Sequence, residues 1–175
     1  SGVDWHDPEL FEDAPFILTP SLEEENKFSE AKLTAENSAQ KSDLETELLQ
    51  ELKALIKKIG ARVHIISAAE HDRCTAYLSH LPHLLSSALV NLSEQQDFKQ
   101  EFFELSGSGY RDMTRIAGSS AELWQDIILS NRANLAELIA EYIAELKELQ
   151  SDLENDEQDK IYKFLKKAAE IKNKK

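Results

Sequence analysis

With only one cysteine, Cys74, the chain cannot form an intrachain disulfide, and a thiol-reducing compartment is the simpler home. No apolar run approaches the roughly 20 residues that cross a bilayer. The first residues also lack the basic start and apolar stretch of a secretory leader, so a cytoplasmic protein with no membrane association is expected. Basic residues are scarce: 20 Lys and Arg stand against 33 Asp and Glu, a formal charge of -13 that argues against nucleic acid and anionic lipid as partners. Glycine is sparse too. Gly107-Ser108-Gly109 follows no strand and lacks a third glycine, so it is not a dinucleotide-binding fingerprint. There is no internal repeat.

What is present is ordinary globular material, 41% hydrophobic and 30% charged over 175 residues, enough for one sizeable core or two small ones. Pro8, Pro15 and Pro20 punctuate the first twenty residues, permitting a short strand at Phe16 to Thr19 and forbidding a long helix. Ser21 to Glu47 is acidic and polar with scattered Leu and Phe, so its start reads as a solvated loop or insertion. Leu48, Leu49, Leu52, Leu55, Ile56 and Ile59 recur at helical spacing up to Gly60, a natural stop. Arg62 to Ser67 is short and β-branched, the pattern of a buried strand.

After Ala68 everything reads as helix. Tyr77, Leu78, Leu81, Leu84, Leu85, Ala88, Leu89 and Leu92 form one apolar arc, with Arg73, His80, His83 and Ser87 on its flank and Pro82 placed to kink it near the histidines. Leu123, Trp124, Ile127 and Ile128 start another helix, capped by Ser119 or Ser120. Leu135, Leu138, Ile139, Tyr142, Ile143, Leu146, Leu149 and Leu153 then hold the 3,4 spacing through five turns, a stripe long enough to call for a partner helix or subunit. Asn155 to Asp159 breaks it, and Ile161, Phe164, Leu165, Ala168 and Ile171 define a last helix.

Two clusters carry polar chemistry. His80 and His83, with His71 and several carboxylates near, fit three readings: a metal site, a polar helix flank, or histidines that bind a ligand. The spacing lacks the H-E-x-x-H pattern of a zinc helix. Arg111, Asp112 and Arg115, after Gly107 and Gly109, are either a turn and capped helix with ordinary ion pairs or an anion site, where a guanidinium can fork onto a carboxylate. Cys74 is expected to be a small packing residue rather than a nucleophile.

These runs, L-F-E-D-A-P-F-I-L-T-P at Leu10 to Pro20, S-A-A-E-H-D-R at Ser67 to Arg73, S-H-L-P-H at Ser79 to His83 and the stretch from Gly109 to Asn131, occur in an order that resembles prephenate dehydrogenase. The resemblance covers nearly the whole chain, Leu22 to Glu47 being the least family-like part. It implies a mainly α fold: residues 1–68 as the last part of a Rossmann-type NAD-binding domain, reduced to strand, helix and strand, and residues 69–175 as an all-helical dimerisation and substrate-binding domain. It implies NAD-dependent oxidative decarboxylation of prephenate to 4-hydroxyphenylpyruvate, in tyrosine biosynthesis, by a homodimer. Arg115 would pair with a substrate carboxylate, His83 would line the same pocket, and Arg111, Asp112 and Gly109 would shape the turn that positions Arg115, with Trp124 packing behind. The family's nucleotide-binding glycine loop and catalytic histidine would precede Ser1. The chain is therefore expected to be a C-terminal fragment that alone binds no NAD and has no activity. A helical dimerisation module without enzymatic function is the alternative.

Overall fold

A computed structural model describes residues 10–20, 35–95 and 104–174. The chain divides into two units, Ser1–His71 and Asp72–Lys175. It is mainly α with a small parallel sheet in front, the class the sequence led us to expect.

In the first unit, β1 (Pro15–Leu18) and β2 (Arg62–Ile65) pair in parallel, Phe16 opposite Val63 and Ile17 opposite His64. Parallel strands cannot be joined by a tight turn. The connection contains α1 (Ala35–Lys58), which packs on β2. The loop expected at the start of Ser21 to Glu47 falls in 21–34, outside the described residues, and the helix read from Leu48 onward begins earlier, at Ala35. The apolar stripe marks only the later part of this helix, because Glu, Lys, Gln and Ala are good helix formers even without an apolar face.

The stop at Gly60 has a defined geometry. Ala61 N–H reaches Ile56 O (3.3 Å) and Gly60 N–H reaches Lys57 O (3.1 Å), the paired bonds of a Schellman motif, with Gly60 at φ +87°. Ile56 and Ala61, both buried, supply the apolar contact that accompanies it. The strand Arg62–Ile65 departs from the expected burial: only Val63 is half-buried, since two strands carry too little sheet to enclose both faces.

α2 (Ala68–Thr75) begins with a capping box. Ser67 Oγ accepts from Glu70 N–H (3.2 Å) while Ser67 N–H donates to Glu70 Oε2 (2.9 Å), so Glu70 closes a helix start. A π-helical turn follows over Ala76–His80, with Leu81 N–H reaching back five residues to Ala76 O, and α3 (Leu81–Glu94) continues with Pro82 in its first turn. The helix runs on through Pro82 without a break, so the bond its missing N–H cannot make falls right after the widened turn. The irregularity expected near the histidines is therefore present as a widened turn ahead of Pro82. That extra residue per turn breaks the phase of the apolar arc: Tyr77 and Leu78 stand 62% and 72% exposed, whereas Ala76 and Leu81 are buried.

The remaining elements are α4 (Ser108–Thr114), a 3-10 turn (Arg115–Gly118), α5 (Ala121–Ser130), α6 (Arg132–Glu154) and α7 (Gln158–Asn173). Ala76, Leu81 and Leu135 form the centre of the second unit, with Leu84, Leu85, Ile128, Leu138 and Ile139 around them. α7 folds back along α6, yet Ile143, Leu146, Leu153, Tyr162 and Leu165 remain exposed. No described helix is long and apolar enough to cross a membrane.

Candidate functional site

His83 is delivered by the first turn of α3 and is only 5% exposed. Its ring lies flat on Trp124 of α5, with centroids 3.6 Å apart and planes 4° from parallel. Burial pushes the His83 imidazole below the usual histidine range, because desolvation disfavours the cation. His83 Nδ1 and, one turn on, Ser86 Oγ are buried without a hydrogen-bond partner among the described residues. Buried polar atoms of this kind call for a ligand or an ordered water.

The indole is placed by its helix start. Ser120 caps α5, its Oγ accepting from Leu123 N–H (3.3 Å) and donating to Glu122 Oε2 (2.9 Å). His80, in the π turn, meets the same Trp124 edge-on, 6.2 Å between centroids at 85°. Two histidines and a tryptophan thus form one aromatic cluster. The sequence suggested the histidines as a flank; the indole between them was expected to pack behind Arg115 instead. Among the described residues no group of three or more His, Cys, Asp or Glu side chains is placed to hold a metal ion.

Arg115 opens the 3-10 turn, which packs against α3, the helix that carries His83. Its guanidinium is exposed and makes no ion pair among the described residues. The stretch from Gly107 to Thr114 differs from the glycine turn expected: Gly107 is an extended N-cap, and Gly109, Arg111 and Asp112 lie within α4 on its exposed surface. Neither Gly107 nor Gly109 adopts a positive φ, so nothing prevents the helix from starting at Ser108. α4 is held to α3 through Tyr110, whose hydroxyl shares a 2.8 Å hydrogen bond with Ser93 Oγ and whose carbonyl accepts from Thr114 Oγ1 (2.7 Å). Cys74 is exposed and packs no core, a correction to its expected role; on a short helix with no buried residue, little apolar surface is on offer to cover it.

Sequence reasoning overlooked Asn131. This buried residue ends α5 and begins α6, and its side chain bonds Asp72 O, His80 Nδ1 and Asn134. The available signal was its position, a polar residue between two apolar stripes with no glycine to end the first.

The family model described as prephenate dehydrogenase, dimerization domain, matches residues 67–167. The chain belongs to the prephenate dehydrogenase family. Prephenate dehydrogenase of Bacillus subtilis is 29% identical over 99% of this chain and 42% of its own length, and cyclohexadienyl dehydrogenase of Zymomonas mobilis is 31% identical over 96% and 51%. The chain therefore spans about half the length of the curated relatives it matches. Among solved structures, Aquifex aeolicus prephenate dehydrogenase in complex with hydroxyphenyl propionate and NAD+ superposes with a TM-score of 0.72 at 27% identity, covering 91% of this chain and 49% of that one. Synechocystis arogenate dehydrogenase shares the fold, with a TM-score of 0.74 at 24% identity over 95% of this chain and 54% of that one. Prephenate dehydrogenase family membership accounts for both units, the strand–helix–strand as the end of a Rossmann domain and the helices as the domain that follows it.

Proposed function

We propose that the chain is the C-terminal part of an NAD-dependent prephenate dehydrogenase, with residues 1–68 belonging to the nucleotide-binding domain and 69–175 forming the substrate-binding and dimerisation domain. The observation that carries the substrate side is the His83–Trp124 stack on α3 and α5, with the turn of Arg115 packed on α3. A flat aromatic pair, His83 buried and Trp124 half-buried, on elements that also carry a guanidinium with no ion pair among the described residues is complementary to a six-membered ring bearing a carboxylate. Arg115 would take a carboxylate of prephenate in a forked pair, and His83, kept neutral by burial, would line the ring's pocket as a hydrogen-bonding group. Arg111, Asp112 and Gly109 would act through α4, which precedes the Arg115 turn without a break. NAD, which accompanies the Aquifex aeolicus protein, is the cofactor proposed for the whole enzyme. The described residues do not themselves fit its phosphates: β1 leads into Thr19 and Pro20 rather than a glycine turn, and the other glycines lie at helix ends or within α4. The work left to this chain is to bind and orient the substrate and to join two subunits.

The full-length enzyme containing this chain is expected to reduce NAD when prephenate is added, and its Arg115→Ala variant to lose roughly 30-fold to 1000-fold in kcat/KM, chiefly through a raised KM for prephenate. Arg115→Lys should restore part of the loss, since an ammonium keeps the charge but not the fork. Steady-state kinetics with both substrates varied decides it. An unchanged prephenate KM with a lowered melting temperature would make Arg115 a structural residue, and turnover of arogenate in place of prephenate would change the substrate.

A further inference from the structure

We propose that Asn131 is the positioning residue of this site, holding His80 as the tautomer with its proton on Nε2 and so fixing the ring against Trp124. Both N–H groups of its side-chain amide and one lone pair of its oxygen are engaged. Nδ2 lies 2.7 Å from Asp72 O and 3.3 Å from His80 Nδ1, and Oδ1 accepts from Asn134 Nδ2 at 2.8 Å. A backbone carbonyl can only accept, so the Asn131 atom that faces Asp72 O must be the amide nitrogen; reversed, two oxygens would meet at that distance. The same nitrogen faces His80 Nδ1 and has only hydrogens to offer. Nδ1 is therefore the bare nitrogen of a neutral ring, and the hydrogen is on Nε2.

Asp72 O sits one helical turn before the π segment and also accepts from Thr75 Oγ1 (3.1 Å). One amide thus ties the start of the widened turn, the ring that the turn carries and the junction between α5 and α6. Its own backbone is equally engaged: its N–H donates to Ile128 O (3.2 Å) and its carbonyl accepts from Leu135 N–H (3.1 Å), so the amide has little freedom to reorient. Through His80 it sets the indole that stacks on His83. The tautomer assignment stands on geometry alone, whereas its bearing on substrate rests on the prephenate pocket proposed above.

The test uses the 175-residue chain labelled with 15N at histidine, with the His80 signals assigned by their loss in His80→Gln. Long-range proton–nitrogen spectra of the unaltered chain should show His80 with a bare Nδ1. Asn131→Asp, nearly isosteric, replaces the donor by a carboxylate oxygen that can only accept, and should move the proton to Nδ1. In the full-length enzyme the same variant should raise the KM for prephenate roughly 10-fold with a smaller change in kcat, a split that general destabilisation would not produce. A protonated Nδ1 in the unaltered chain, or a tautomer that Asn131→Asp leaves unmoved, overturns the assignment even if prephenate is not the substrate. A shifted tautomer with unchanged KM overturns the positioning role. Absence of any prephenate turnover by the unaltered enzyme defeats the pocket reading alone, and the spectra still decide the tautomer.

Discussion

His83 shows how one buried side chain couples the site to stability. The unfolded chain takes up a proton at this residue near the ordinary histidine value of about 6.5, while the folded chain resists it to lower pH because the ring is desolvated. Below that value the unfolded state binds more protons, so this contribution to stability is complete above it and is lost as the pH falls. The melting temperature should hold steady from about pH 8 to 7 and decline from about pH 6.5 downward. His83→Gln should flatten that decline, which paired melting curves across the range would reveal. A variant whose curve keeps the same slope would assign the loss to other groups.

At the scale of elements, Gly60 is a position where backbone conformation constrains the residue. An alanine there would hold φ near +87° at a cost of about 1 to 2 kcal/mol, and its Cβ would approach Glu12 Cα at 3.3 Å. Denaturant titration should register that loss for Gly60→Ala and less of it for Asn, which tolerates the left-handed region. This helix stop was legible in the sequence, as were Ser120 as a cap and the long stripe of α6, because each depends on neighbours within one or two turns. Asn131, the Trp124 contact and the lost phase at Tyr77 and Leu78 were not. Asn131 bonds a carbonyl 59 residues away, and a widened turn has no composition of its own to betray it. Motif order led to Arg115 and His83 as the residues to examine; which ring faces which needed the tertiary structure.

For the whole molecule, the apolar residues left exposed on α6 and α7 run alongside the reading as a dimerisation domain. A second copy covering them would remove apolar surface from water at roughly 25 cal/mol per Å². Sedimentation is expected to give a dimer, and Tyr142→Glu with Leu146→Glu, both exposed and one turn apart on α6, to give a folded monomer. A monomer of the unaltered chain at tens of micromolar, or a dimer that survives both charges, would place the seam elsewhere. The π turn carries a further consequence. A π turn takes about one residue more than an α turn, so deleting any one residue of Ala76–His80 would let the segment close as ordinary helix while the stretches before and after it keep nearly the same facing. The segment therefore holds one residue of slack, taken up in the widened turn instead of being passed on along the helix.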